Sequence, residues 1–278
     1  MPMPYLKGQQ TALVTGASSG IGEATAIALN KSGYKVYAVA RRTDRMKDLQ
    51  KQGIITVRLD VSDDTSMKRV VKKIEKESGM IDVLINNAGY GSYGALEDVP
   101  MEEARMQVEV NLFGLARLSQ LVIPKMRIRR RGTIINISSI GGKMGEPFGT
   151  WYHTTKYAVE GLSDSLALEL KPFDIHVVIV EPGIIRTAWY EISAANMLKA
   201  SDKGPYSQSA RKKAASFRRA GESFLASPPE KIAEGIVKIL SKKRPKLRYP
   251  IGGGARSFML LRKLTSDRLF YGIIGKFL

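Results

Sequence analysis

Tyr152 and Lys156 stand four residues apart, a spacing that on a helix puts them on one face, one turn apart. A phenol has an ordinary pKa of about 10 and is protonated at neutral pH. An ammonium beside it favours the phenolate and draws that pKa toward the working range, so the pair can give and take a proton. The same spacing also describes a plain surface contact on a helix. Ser139, in the run Asn136-Ile137-Ser138-Ser139-Ile140-Gly141-Gly142, adds a hydroxyl able to hold a substrate oxygen and share its developing charge. A turn or helix cap is the other reading of that serine, and Ser138 offers the same group one residue earlier.

A second set of residues could cradle a phosphate. The run Thr15-Gly16-Ala17-Ser18-Ser19-Gly20-Ile21-Gly22 has glycines that let the backbone turn tightly and approach a pyrophosphate. The helix expected to follow supplies unpaired N–H groups and a positive dipole. Farther on, Ala38-Val39-Ala40 leads into Arg41 and Arg42. An acidic residue there would bind the ribose 2′-hydroxyl of NAD; none is present, and guanidinium groups suit a 2′-phosphate instead. The expected cofactor is therefore NADP(H).

The elements that must position these groups alternate in type. Thr11–Thr15, Lys35–Ala40, Ile54–Leu59, Val83–Asn86, Thr133–Ile137 and His176–Val180 read as strands. Gly20–Ser32, a stretch from about Thr43, Asp63–Glu77, Met101–Arg127, Tyr152–Leu170 and Glu230–Leu240 read as helices. Such alternation implies an α/β fold with a doubly wound parallel sheet and helices on both faces. Its ligands bind beyond the carboxyl ends of the strands. The glycine run, the arginine pair and Ser139 all fall at such ends. Residues 187–227 are polar, basic and irregular, and are expected to form a helix or two over a substrate pocket, whose lining should come from Gly141–Phe148 and Thr187–Ser227, including Trp189, Tyr190, Met197 and Phe224. No linker divides the chain, so residues 1–278 are expected to form one domain.

The G-x3-G-x-G spacing after Thr15 resembles the short-chain dehydrogenase/reductase family, and the rest of the chain can be compared with it. Asn86-Asn87-Ala88-Gly89, Asn111, Ser139 thirteen residues before Tyr152, Lys156 and Pro182-Gly183 occur in the family's order. The likeness covers about residues 10–190. Around Ser139–Leu170 it is nearest the 17-beta-hydroxysteroid dehydrogenase-like subgroup. It implies a single Rossmann-fold domain and a hydride transfer between NADP(H) and a lipophilic alcohol, ketone or aldehyde, catalysed by Asn111, Ser139, Tyr152 and Lys156. It further implies that Gly16, Ser18, Ser19, Gly20, Ile21 and Gly22 hold the phosphates. Arg41, with Arg42 beside it, would take the 2′-phosphate, and Asp60 and Val61 the adenine. Asn87, Ala88 and Gly89 would pass the adenine ribose, while Pro182, Gly183, Ile185 and Thr187 meet the nicotinamide. Tyr152 and Lys156 would reach its ribose, and Ser139 and Tyr152 the substrate oxygen. Asn111 would hold a water through a local helix distortion. The implied assembly is a homodimer or homotetramer.

Composition bounds the rest. Without cysteine, disulfides, thiolate metal sites and a cysteine nucleophile are excluded. Two histidines are too few for a metal site, and both His153 and His176 are read as structural. Met1–Gln10 lacks the apolar stretch of a secretory leader, so a cytoplasmic protein is expected. Net charge is +18; residues 199–278 hold 19 Lys/Arg against 5 Asp/Glu, a net of +14, which leaves +4 for residues 1–198. No aromatic-interleaved basic motif supports a nucleic-acid partner. The tail, residues 255–278, alternates large apolar residues with Arg262, Lys263, Arg268 and Lys276. Such a segment either packs on the body or a partner subunit near the substrate entrance, or lies on an anionic membrane surface. A catalytically silent NADP-binding sensor is the rival reading of the whole, and the intact Ser139, Tyr152 and Lys156 set argues against it.

Overall fold

The computed structural model describes residues 9–274. The first eight positions of the leader reading, and Lys276 and Phe277 of the tail, lie outside the described residues. Seven strands form one sheet: β1 (Thr11–Thr15), β2 (Lys35–Ala40), β3 (Ile55–Arg58), β4 (Val83–Asn86), β5 (Gly132–Ile137), β6 (Ile175–Pro182) and β7 (Arg248–Ile251). Every pairing is parallel and the order is β3-β2-β1-β4-β5-β6-β7. The connectivity reverses between β1 and β4, which opens a crevice at their carboxyl ends.

Helices fill both faces: α1 (Gly20–Lys31), α2 (Lys47–Lys51), α3 (Asp64–Ser78), α4 (Met101–Val108), α5 (Gly114–Arg129), α6 (Thr150–Leu170), α7 (Trp189–Ser201), α8 (Ser207–Glu222), α9 (Pro229–Leu240), α10 (Ala255–Leu264) and α11 (Asp267–Ile274). Side chains alternate across each strand, so β1 divides the core. Ala12 and Val14 pack with Leu29 of α1 and with Ile232 and Ile236 of α9. Leu13 packs on the other face with Val70 and Ile74 of α3 and Leu118 and Val122 of α5. Being apolar on both sides, the central strands read as continuous hydrophobic runs.

Three features refine the pattern expected of the sequence. The long helix from Met101 is interrupted by a π-helical turn at Glu109–Phe113, which carries Asn111. The helix or two expected in 187–227 are α7 and α8, packed on each other. β7 is a strand that the basic run Lys242–Lys246 and Pro250 disguise. Pro250 is tolerated because β7 is an edge, and Arg248 anchors it through Glu160 (3.0 Å) and Asp164 (2.6 Å) of α6. Among the described residues, no helix is long and apolar enough to cross a membrane, and no cluster of His, Cys, Asp and Glu could hold a metal ion.

Candidate active site

The carboxyl ends of the strands open into one cavity of about 570 Å³. At one end lies the turn from β1 into α1. Gly16 and Gly20 have φ of +65° and +59°, conformations that glycine adopts without strain. A Cβ on Gly22 would stand 2.4 Å from the Gly16 carbonyl oxygen and 2.5 Å from Asn87 Nδ2, so the turn closes only without a side chain there. Ser19 caps α1 in extended backbone and makes no side-chain hydrogen bond to the helix. The first N–H groups of α1 therefore face the cavity that Gly20 and Ile21 line.

Thr15 binds this turn to the neighbouring strand end. Its hydroxyl accepts from the amides of Asn87 and Ala88, both at 2.9 Å, while Asn87 Nδ2 donates to the Thr15 carbonyl at 2.9 Å. Asn86, whose register partner is Asn136, stitches β4 to β5 by donating to Asn136 Oδ1 at 2.9 Å; Asn136 donates in turn to Ser163. The two asparagines thus have separate work, one toward each neighbouring strand. Arg41 and Arg42 are exposed at the rim. Asp60 lines the cavity too, but one of its oxygens is committed to Ser62, accepting from its amide (3.0 Å) and hydroxyl (2.7 Å). Asp63 is the residue that caps α3.

Ser139, Tyr152 and Lys156 meet at the other end. The Ser139 hydroxyl accepts from the Gly141 amide at 3.0 Å. Lys156 Nζ donates to the Ile137 carbonyl at 2.8 Å and lies 5.9 Å from the centre of the Tyr152 ring. Burial pushes the Tyr152 phenol up to about 12, against a lowering contribution from Ser139. Burial likewise brings Lys156 down to about 8, with Glu160 opposing. The expected lowering of the phenol by the ammonium is not seen: burial sets its direction and Glu146 adds to the rise. Ser138 is buried with an unpartnered hydroxyl, while Ser139 is the serine that acts on Tyr152.

Asn111 does not line the cavity; it stands behind it. Its amide donates to the Tyr90 carbonyl (2.9 Å) and to Thr155 Oγ1 (3.1 Å), and its oxygen accepts from the Tyr90 amide (3.0 Å). The helix distortion expected there is present. Both amide hydrogens are committed, however, and what they hold is the strand end after β4 and the helix bearing Tyr152. Ser18, Val61, Gly89, Pro182, Gly183, Ile185 and Thr187 line the cavity, and Thr187 packs over Gly20. Gly22 lies beneath the floor.

Of the expected pocket residues, Trp189 and Tyr190 line the cavity. Met197 is instead buried in a packed cluster between α7 and α8, and Phe224, 93% exposed, points away. His153, read as structural, lines the cavity, as does Tyr93, which lies outside the stretches expected to supply the pocket; Glu146, Lys213 and Phe217 line it from within those stretches. Glu146 and Lys213 pair at 2.8 Å across 67 residues of chain, a contact that no local spacing signals.

A reversed parallel sheet with a glycine-lined crevice and a Ser-Tyr-Lys end defines a nucleotide-binding oxidoreductase. The sequence model described as "short chain dehydrogenase" matches residues 10–196, and the chain belongs to that family. It is 40% identical over 243 residues to the 3-ketodihydrosphingosine reductase of Bacteroides thetaiotaomicron, covering 87% of this chain and 88% of that one. The crystal structure of a short-chain dehydrogenase from Streptomyces avermitilis superposes with a TM-score of 0.81 at 33% identity, covering 98% of each chain. An alcohol dehydrogenase from Thermococcus sibiricus, complexed with 5-hydroxy-NADP, superposes at 0.68 with 26% identity, over 87% of this chain and 96% of that one.

Proposed function

We propose that the protein is an NADP(H)-dependent oxidoreductase that interconverts a lipophilic alcohol and its ketone or aldehyde. The observation that carries this reading is one continuous cavity with Arg41 and Arg42 at one end and Ser139, Tyr152 and Lys156, among aromatic rings, at the other. The residues fit the cofactor. Gly22 leaves room that a Cβ would fill, the N–H groups of α1 suit a pyrophosphate, and the arginines suit a 2′-phosphate. The Thermococcus structure with an NADP derivative and the name of the Bacteroides relative support the cofactor and the apolar ketone respectively.

Bound NADPH supplies the hydride, delivered to the carbonyl carbon. Ser139 holds the carbonyl oxygen, and Tyr152, kept protonated by its high pKa, gives that oxygen its proton. Lys156 faces the resulting phenolate and, with a pKa of about 8, can return a proton to it. Asn111, through Thr155 and Tyr90, keeps the Tyr152 helix in register with the strand end after β4. The aromatic wall excludes water and receives the apolar body of the substrate. A homodimer or homotetramer, with peripheral membrane contact through exposed residues of the basic C-terminal part, completes the reading. The test is a ketone and aldehyde panel followed by NADPH absorbance. Tyr152→Phe is expected to lower kcat by about 10²-fold or more while NADPH still binds, and a normal kcat in that variant would overturn the mechanism.

A further inference from the structure

Five charged side chains that do not line the cavity gather where β6, β7 and α6 meet. They are Lys143 in the loop between β5 and α6, Glu160 and Asp164 of α6, Glu181 of β6 and Arg248 of β7. Lys143 Nζ lies 2.9 Å from one Glu160 oxygen; Arg248 pairs with that same oxygen at 3.0 Å and with Asp164 at 2.6 Å. Two cations thus answer two carboxylates, and Glu181 is the third. It is 1% exposed. Arg248 Nε stands 4.0 Å from its Oε1, beyond hydrogen-bond reach, and among the described residues that oxygen has no partner. The other cations nearby are engaged elsewhere. Arg262 of α10 donates to the Lys143 carbonyl and pairs with Asp267. Lys156, one turn before Glu160, donates to the Ile137 carbonyl.

A buried carboxylate without a partner is costly, so the third acid keeps its proton. Burial raises the Glu181 carboxyl to about 7 and Glu160 adds to the rise, against Lys143 and Arg248. The residue stands at a sensitive point. It precedes Pro182-Gly183, the segment expected to meet the nicotinamide, and its register partner is Pro250 of β7. The Gly183 amide donates to the Ile251 carbonyl at 3.0 Å and the Ile179 amide to that of Leu247 at 2.7 Å. Those bonds tie β6 to β7, and Arg248 ties β7 to the helix that carries Tyr152 and Lys156. β7 is a half-buried edge of four residues, an element with few buried contacts to lose when it moves.

We propose that Glu181 is a positioning residue: protonated, it leaves Arg248 to clamp β7 to the Tyr152 helix and so seats the nicotinamide segment, and its ionisation releases that clamp. Loss of the proton leaves three carboxylates to two cations, with the new charge shut from water. Arg248 is then drawn between Glu160 and Glu181, and the short edge strand yields. The nicotinamide part of this inference rests on the NADP(H) reading given above; the clamp itself does not.

Glu181→Gln keeps the neutral form at every pH and tests the clamp. In urea denaturation the variant is expected to have the higher midpoint at pH 8, by a margin that narrows toward pH 5. The sign follows from linkage. A carboxyl raised by folding contributes stability that is whole below its ordinary value of 4.5 and is lost as pH rises through about 7. A midpoint below that of the unaltered protein at pH 8, or a margin that does not change with pH, would overturn the proposal. NADPH affinity is read by fluorescence titration of both proteins. Between pH 6 and pH 8 the ratio of the two affinities is expected to move in favour of the variant by up to about tenfold, as the seated fraction of the unaltered protein falls. A ratio independent of pH would overturn the link to the nicotinamide segment. If the variant does not fold, amide exchange in the unaltered protein decides. Protection of Ile179 and Gly183, relative to the amides of β1, is expected to fall between pH 6 and pH 8, and constant relative protection would overturn the clamp. No NADPH binding by either protein at any pH, with midpoints and protection as expected, would support the clamp and sink the NADP(H) reading.

Discussion

Lys156 is a buried amine whose pKa falls from 10.5 to about 8 because burial disfavours its charge. The ammonium is present below that value and lost above it. Tyr152, at about 12, stays protonated throughout the range in which Lys156 titrates. The kcat/KM for reduction is therefore expected to decline tenfold per pH unit above about 8, and a pH-rate profile flat to pH 10 would remove this role for Lys156. The linkage has a definite sign. Between about 8 and 10.5 the unfolded chain binds the proton that the folded one releases, so stability attributable to this group rises with pH in that window. Arg41 makes a separate prediction: Arg41→Asp is expected to reverse or abolish the preference for NADPH, read as the ratio of kcat/KM with the two cofactors. Equal efficiency with both in the unaltered enzyme would sink the argument. At this scale the sequence was most legible where spacing is short, as in Tyr152 and Lys156. His153, read as structural, also lines the cavity, which a step of one residue from Tyr152 along a helix does not signal. Near the start of α6 its ring instead reaches the Gly141 carbonyl, a contact set by the loop and not by the helix.

The elements were legible wherever apolar runs alternate with helical periodicity, which holds for β1 to β6. β7 was not, since four half-buried residues including Pro250 carry too little pattern beside a run of lysines. The π-helical turn leaves no mark in the periodicity; the distortion at Asn111, a poor residue for a helix interior, was expected from the family resemblance alone. The β1–α1 turn shows how much one element depends on a missing atom. Gly22→Ala is expected to weaken NADPH binding by about tenfold or more and to cost about 1–3 kcal/mol of stability through overpacking. Gly161→Ala is the control. It lies in α6 with nothing within 4 Å of an added Cβ, so it is expected to stabilise by up to about 1 kcal/mol. Fluorescence titration with NADPH and urea denaturation check both. An unimpaired Gly22→Ala protein would show that the turn has slack.

For the whole molecule the open question in the sequence was where the tail goes. Its described part packs on the body. Phe270 is fully buried against Phe258 at 5.4 Å. The Tyr271 hydroxyl accepts from the Gly145 amide at 3.1 Å, and Arg262 donates to the Lys143 carbonyl at 3.1 Å. Both contacts brace the loop that carries Glu146. Leu260, Leu264 and Leu269 remain exposed, and that face is the one a membrane would meet. Truncation after Gly254 is expected to raise KM several-fold with NADPH binding retained; an unchanged KM would mean that the brace is dispensable. In the same variant, loss of salt-sensitive flotation with anionic vesicles would report peripheral attachment as a second duty of the segment. One sequence could not distinguish the two, because packing and membrane contact ask for the same amphipathic pattern.

The short edge strand has a temporal consequence. Gly183 donates to the Ile251 carbonyl at 3.0 Å and Ile184 to that of Gly253 at 3.2 Å, so the segment expected to meet the nicotinamide is roofed by residues of β7 and the turn after it, which come much later in the sequence. During synthesis, which proceeds from the N-terminus, the phosphate-binding turn and the Ser-Tyr-Lys groups leave the ribosome long before that roof does. A nascent or prematurely ended chain is thus expected to hold the phosphates of a nucleotide without seating its reactive ring. A nucleotide's reactive ring is thereby expected to find its seat only in chains translated past Gly253.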